Sequence, residues 1–346
     1  MRAEGLEGLL VTHLANIRYL TGFTGSAALL LVREDAAILI SDFRYATQAP
    51  SEVGPAAAVE IDQRSVWDRL VRVLASGPGG SLGIEAQSLT VRDAERLSEA
   101  TKARVVSTAD LVERHRATKS PEEVAAIRAA AELAQEALAE VLPGVRAGQT
   151  ELEVASVLEA ALRRRGSEWH PFPTIVASGP RSALPHARTS GRSLGVGELL
   201  LIDFGAQVDG YCADLTRTMV IGARADDRQR TVHDLVQSAQ RRAIDHLCAG
   251  MPGREADALA REVIVTRGFG AAFGHSLGHG LGLEVHEAPR LAPNSETPLP
   301  PHAVVTVEPG VYFPGWGGIR LEDDVYLGDQ GAERLSDGRT ELLELV

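Results

Sequence analysis

Apolar residues in this chain fall into short runs and helical stripes. Residues 27–32, Ala-Ala-Leu-Leu-Leu-Val, and 36–40, Ala-Ala-Ile-Leu-Ile, flank Arg33-Glu34-Asp35 and predict a hairpin. Val66, Leu70, Val71 and Leu74 recur at helical spacing over 66–75, and Gly77-Pro78-Gly79-Gly80 ends that stripe. A strand at 82–84, a helix over 90–100 and a short strand at 105–106 follow. Near 112–120 the pattern changes. Ser120-Pro121-Glu122-Glu123 has the order of a helix start: a hydroxyl cap, proline at the first helical position and Glu at the third. A long helix with Val124, Ile127, Ala131, Ala134 and Leu138 on one side is predicted to run to Pro143-Gly144. A second helix is expected at about 150–165. Two more, near 227–248 and 254–267, separate strand pairs at 199–221 and 303–327. The expected fold is α+β, with a small α/β domain over 1–115 and a larger domain over 116–346. The larger domain echoes itself loosely, with two helices before each strand pair.

The strand pairs carry the candidate chemistry. In Leu199–Ala206, turn, Tyr211–Thr218, the Asp209-Gly210 turn signal places Asp203 and Asp214 opposite or diagonal on one face, with Cβ atoms roughly 4.5–8 Å apart. Two carboxylates that close among apolar neighbours such as Ile202 and Phe204 repel each other and lose hydration, and a cation resolves both costs. The alternative is an exposed face with both Asp in water. Glu308 and Glu322 lie seven residues either side of Gly315, so a second hairpin makes them face each other. One of the adjacent Asp323 and Asp324 is expected to face solvent.

Between the pairs lies Gly270–Glu287, with His275, His279 and His286 separated by Gly274, Gly278, Gly280 and Gly282. His275 and His279 have the spacing of a helical metal pair. Four glycines in nine residues make a poor helix, and position 276 is Ser where a zinc-protease helix has Glu. A Gly-rich segment packed close to another backbone, with imidazoles aimed into a cleft, fits better. The alternative is three hydrogen-bonded histidines in a loop. Four carboxylates and one imidazole are too acidic for a lone structural zinc and suit two divalent ions ~3.5–4 Å apart. Oxygen-rich shells with one imidazole take manganese, cobalt or zinc.

Composition narrows the classes further. The chain has 346 residues, 44% hydrophobic and 24% charged, as in an ordinary globular protein of two domains. A net charge of −12 argues against nucleic acid or an anionic membrane as partner. No stretch approaches ~20 apolar residues, and the first eight residues lack the order of a signal peptide. Two cysteines, Cys212 and Cys248, give no disulfide framework, so a reducing cytoplasm is expected. Cys212 shares strand parity with Asp214 and is read as a small packed residue. Lys102 and Lys119 are the only lysines.

Leu201-Ile-Asp203-Phe-Gly, Asp214-Leu-Thr-Arg-Thr, Gly278-His279-Gly, Val307-Glu308-Pro-Gly and Ile319-Arg-Leu-Glu322-Asp-Asp resemble, in order and spacing, the pita-bread metallopeptidases that cleave Xaa-Pro bonds, prolidase and aminopeptidase P. The resemblance covers about 118–346. More weakly, through Tyr19-Leu-Thr-Gly-Phe23 and Asp42-Phe-Arg-Tyr45, the first ~115 residues resemble the creatinase-type N-terminal domain of those enzymes. The resemblance implies metal ligands at Asp203, Asp214, His279, Glu308 and Glu322. It implies outer histidines at His275, His286 and His186 that hold substrate and stabilise the tetrahedral intermediate, and an Arg at 320 near Glu322. Two divalent ions per subunit, manganese favoured and cobalt or zinc as alternatives, would share a hydroxide that attacks the carbonyl before proline. Glu308 would be general base, with His186 and His286 polarising the carbonyl. The implied substrates are Xaa-Pro dipeptides or short peptides with proline at position 2, and a homodimer is implied. A dipeptidase must read a carboxylate beside the proline, which calls for a cation. Arg44 is the candidate, against a surface pair with Asp42. Prolidase is the preferred reading and aminopeptidase P the alternative. A metal-free creatinase-type enzyme or a non-catalytic binding module would lack ligands that are all present here. Methionine aminopeptidase lacks the N-terminal domain.

Overall fold

The computed structural model describes residues 1–77, 79–336 and 340–346, so Pro78 of the expected 77–80 breaker lies outside the described residues. The chain divides into two compact units, Met1–Arg116 and Ala117–Val346.

The first unit is built on a six-stranded mixed sheet in the order Ala58–Asp62, Ala37–Asp42, Ala28–Arg33, Gly8–Val11, Ser81–Glu85, Arg104–Thr108. The expected hairpin is there, pairing Leu29 with Ile40 and Leu31 with Ile38. Leu10, Leu29, Leu31 and Ile40 pack with Leu70, Leu74 and Leu97 of the helices Val66–Ala75 and Val91–Ala100. Ser65 and Thr90 cap those helices by accepting from the amides of Asp68 and Asp93. Leu9, Val11, Leu30 and Leu39 belong to a second cluster, so the strands are apolar on both faces and read as continuous runs.

The second unit repeats one plan. Helices Pro121–Val141 and Glu151–Arg165 both open on full capping boxes, Ser120 with Glu123 and Thr150 with Glu153. They bury Ala134, Leu138, Leu158 and Leu162 against Leu200, Ile202, Phe204 and Met219. These residues lie in a four-stranded sheet ordered Leu343–Leu345, Leu215–Ile221, Leu199–Phe204, Ile175–Ser178. Helices Asp227–His246 and Gly253–Thr266 in turn cover Val305, Val307, Val325 and Leu327. That sheet has five strands: Glu287–Leu291, Gly278–Gly280, Val304–Val307, Asp323–Gly328, Gly331–Arg334. Side chains alternate across a strand. With Leu200, Ile202 and Phe204 against helices, Asp203 points to the other face. With Val305 and Val307 against helices, Thr306 does likewise. The two sheets meet at an isolated antiparallel bridge, Thr216 to Glu322, where the Glu322 amide donates to the Thr216 carbonyl at 3.1 Å.

Candidate metal centre

Each carboxylate is placed by strand register. Asp203 pairs with Thr216, and after the turn Tyr211 pairs with Val208. Asp214 therefore sits diagonal to Asp203, two residues along the partner strand. The turn is the Asp-Gly type expected, with positive φ at Asp209 (49°) and Gly210 (79°). In the second half Val307 pairs with Asp323 on one side and Gly310 with Arg320 on the other, so Glu308 and Glu322 fall opposite each other at the break between the two ladders. Asp203, Asp214 and Glu322 each offer an oxygen within 4.8 Å of the others, as do His279, Glu308 and Glu322.

His279 reaches the cluster from a short strand, not a helix. An added Cβ on Gly278 would lie 2.0 Å from the Thr306 carbonyl, and one on Gly280 2.2 Å from that of Ala288. The glycines therefore permit the close backbone approach that carries the imidazole in. His279 Nδ1 is 3.1 Å from the Gly280 carbonyl. A carbonyl only accepts, so Nδ1 holds the proton and Nε2 turns its lone pair to the carboxylates, 3.6 Å from Glu308 and 3.8 Å from Asp214. Burial, then His286, pushes His279 down to about 4, so the ring is neutral at physiological pH.

The electrostatics are those of an acid cluster short of cations. Burial first, then repulsion from Glu322, raises Asp214 and Glu308 well above the ordinary carboxyl range. Burial, then Asp203, pushes Glu322 up to about 8. Asp203 is raised by burial, an effect opposed by Arg320 and more weakly by His186 and His286. Asp203 Oδ1 and Asp214 Oδ1 are buried without a hydrogen-bond partner. Buried carboxylate oxygens are rarely left so, and two divalent ions are what this donor set fits. Glu308 is more accessible than either aspartate, its side chain 16% exposed against 12% for Asp203 and 7% for Asp214.

Around the cluster runs a chain of hydrogen bonds that the linear sequence does not disclose. Arg320 Nη2 donates to Asp203 Oδ2, its Nη1 donates to the Tyr312 hydroxyl at 2.8 Å, and its Nε to Thr216 at 3.1 Å. Tyr312 lies 3.0 Å from His275 Nε2, while His275 Nδ1 faces the Ser276 carbonyl at 2.8 Å. Nδ1 must donate there, so Tyr312 donates to Nε2. Thr216 also donates to Glu322 Oε2 at 2.6 Å. Tyr312 has the strand parity of Glu308, and Thr216 that of Asp214; period-2 counting was the one signal available for them. His275 is pushed down to about 4 by burial, then by Arg320.

His286 is exposed, its ring centroid 4.3 Å from that of His279, and one of its nitrogens lies within 4.8 Å of ligand atoms of Asp214 and His279. His186 is exposed. Arg44 belongs to the first unit, where its Nε and Nη2 donate to Asp42 at 2.9 and 2.7 Å and its guanidinium lies 5.4 Å from the Tyr45 ring. Cys212 is buried, its thiol pushed up to about 12 by desolvation, as befits packing and not redox chemistry.

The expectation that Asp323 or Asp324 faces water is corrected: both are fully buried. Asp323 accepts from Arg217 at 2.7 Å, Ser336 at 2.6 Å and Gln240 at 3.0 Å, and Asp324 accepts from the Asp214 amide at 3.2 Å. Countercharge from Arg217 makes burial of Asp323 tolerable, while burial raises Asp324 well above the ordinary carboxyl range.

A match to metallopeptidase family M24 covers residues 125–329, and one to the creatinase/prolidase N-terminal domain covers 1–118. The chain is 34% identical to the Xaa-Pro dipeptidase of Pyrococcus furiosus, over 99% of this chain and 97% of that one. The solved Xaa-Pro dipeptidase from Bacillus anthracis superposes with a TM-score of 0.95 at 39% identity, covering 99% of this chain and 96% of that one. The X-Pro aminopeptidase from Thermotoga maritima superposes with a TM-score of 0.92 at 38% identity, covering 99% and 100%. The architecture is thus the expected one, a creatinase-type N-terminal domain followed by a pita-bread catalytic domain. With more than half its length matched and relatives aligned end to end, the chain belongs to metallopeptidase family M24.

Proposed function

We propose that the protein hydrolyses Xaa-Pro bonds, with dipeptides as its preferred substrates, using two divalent ions held by Asp203, Asp214, His279, Glu308 and Glu322. The observation that carries this reading is the convergence of acids and one neutral imidazole around two partnerless buried oxygens. Relatives similar over nearly the whole chain include the Xaa-Pro dipeptidases of Pyrococcus furiosus and Bacillus anthracis. Such ions, when bound, lower the pKa of water and polarise a carbonyl. Manganese is the favoured metal, with cobalt or zinc as alternatives.

The chain's own groups do the rest. Glu308, more accessible than either aspartate with 16% of its side chain exposed, takes a proton from the attacking water and passes it to the leaving nitrogen. His186 and His286, both solvent-facing, hold the substrate carbonyl and its developing negative charge. Arg320 stays protonated although burial opposes its charge, because Tyr312, Asp203, Glu322 and Glu308 outweigh that cost. It anchors Asp203 and, through Tyr312, His275. A bond to proline has no N–H, so selection rests on ring shape and carbonyl contacts. The proposed working state is a homodimer in the cytoplasm, and sedimentation tests the dimer.

With added Mn²⁺ the protein is expected to turn over Ala-Pro faster than Ala-Pro-Pro and to leave Met-Ala intact. Faster cleavage of Ala-Pro-Pro would move it to the aminopeptidase P class, and silence on all three would remove the activity. Arg44 is proposed to read the dipeptide carboxylate; its exposed guanidinium, pre-oriented by Asp42, is suited to a bidentate contact. Arg44→Ala should then lower Ala-Pro turnover about tenfold relative to Ala-Pro-Pro. An unchanged ratio would leave Arg44 as a surface residue.

A further inference from the structure

The glycine-rich segment that delivers His275 has little local means of holding its shape. Gly270, Gly274 and Gly278 punctuate it, and between the helix ending at Thr266 and the strand starting at Gly278 it forms only one short 3-10 turn, Gly270–Ala272. Glycines carry the largest conformational entropy of any residue. A side chain that acts on a substrate must be held to about half an ångström.

The missing restraint comes from the helix Gly253–Thr266. Asp257 and Arg261 sit one turn apart and pair through two bonds, Nε to Oδ2 at 2.5 Å and Nη2 to Oδ1 at 2.8 Å. The remaining donors of the same guanidinium reach into the segment, Nη1 to the Phe273 carbonyl at 3.0 Å and Nη2 to the His275 carbonyl at 2.7 Å. Asp257 Oδ1 accepts from the Leu277 amide at 3.0 Å, so the pair grips backbone on both sides of His275. The guanidinium carbon also lies 4.1 Å from the centroid of the Phe273 ring, and that ring meets His275 edge-on with centroids 5.0 Å apart. Asp257 is 1% exposed. A surface ion pair of this spacing contributes only a few tenths of a kcal/mol to a helix, so stability of the helix alone does not account for a half-buried fork that makes four hydrogen bonds around a buried carboxylate.

We propose that Asp257 and Arg261 are positioning residues for the hydrolysis, a clamp that fixes the backbone of 273–277 and thereby sets the His275 ring against Tyr312. The clamp acts through His275 and not on the ions, since its contacts end at Leu277, before His279. It needs the planar fork of Arg; a Lys ammonium cannot serve two carbonyls and a carboxylate in this geometry. The kinetic side of the proposal rests on the reading of the protein as an Xaa-Pro hydrolase.

The test is a double-mutant cycle with Mn²⁺-loaded full-length protein and Ala-Pro, combined with hydrogen exchange on the same samples. Arg261→Lys is expected to lower kcat about 10- to 100-fold, with KM changed less than about twofold and metal content unaltered. In a His275→Ala background the same change should cost less than about twofold, because the group it positions is gone. Amides of 270–277 should exchange at least about tenfold faster in Arg261→Lys while the sheets keep their protection. Equal losses in both backgrounds, or unchanged exchange in 270–277, would overturn the clamp. Should Arg261→Lys fold poorly, Asp257→Asn, which keeps side-chain shape, takes its place with the same expected losses. Exchange is read without substrate, so an inactive wild type would refute the hydrolase reading and still leave the clamp to be judged.

Discussion

Glu308→Gln is expected to lower kcat/KM for Ala-Pro about 10³-fold or more, while the metal-free protein becomes more stable at pH 8, on the order of 1 kcal/mol. The two effects have one cause. Glu308 is ionised only against burial and against Glu322, which together hold its carboxyl well above the ordinary range. An amide of the same shape removes that repulsion and removes the proton acceptor with it. Thermal denaturation in chelator, beside turnover in Mn²⁺, checks both halves. A metal-free variant less stable than wild type would mean that the carboxylate is held by attraction and not strained by repulsion, and the electrostatic description of the site would fail.

Mn²⁺ binding is expected to expel protons from carboxyls, not from histidine. In the metal-free chain Glu322 is pushed up to about 8 by burial and Asp203, and Asp214 and Glu308 are raised well above their usual range. Their folded pKa exceeds the unfolded one. Their contribution to stability is therefore complete below the ordinary carboxyl range near 4; that of Glu322 is lost as pH rises through about 8, and those of Asp214 and Glu308 are likewise lost well above the ordinary range. An ion inverts this preference because it selects the charged forms. Between about pH 6 and 8 the apparent affinity should rise roughly tenfold per pH unit for each proton displaced. His279, at about 4, is already neutral and supplies none. Calorimetry in two buffers of different ionisation heat counts the protons. No release at neutral pH would sink this account, and an affinity that levels off above about pH 7 would return control to a histidine.

The carboxylate geometry was legible because it is set by two local codes. Turn chemistry at Asp209-Gly210 and Gly315, together with the two-residue period of strands, places Asp203 near Asp214 and Glu308 opposite Glu322. Glycine spacing foretold the close approach of Gly278 and Gly280 to neighbouring backbone. The helix start at Ser120 was equally local. What lay beyond reach depends on partners far along the chain. The Arg320–Tyr312–His275 connection needs a hairpin, a loop and a sheet to be assembled first. The burial of Asp323 could not be foreseen without Arg217 and Gln240, about a hundred and about eighty residues upstream. The strands Gly8–Val11 and Ala58–Asp62 were not anticipated; the first is four residues long, and the second alternates polar and apolar positions over only five.

The bridge from Thr216 to Glu322 has a consequence for how the protein matures. Asp203 and Asp214 leave the ribosome roughly a hundred residues ahead of Glu308 and Glu322, and an isolated first half offers an ion two of the five proposed ligands, without His279. Tight capture therefore awaits a finished polypeptide whose halves have docked. With the proposed ligand set, loading is expected to be a late event that follows assembly.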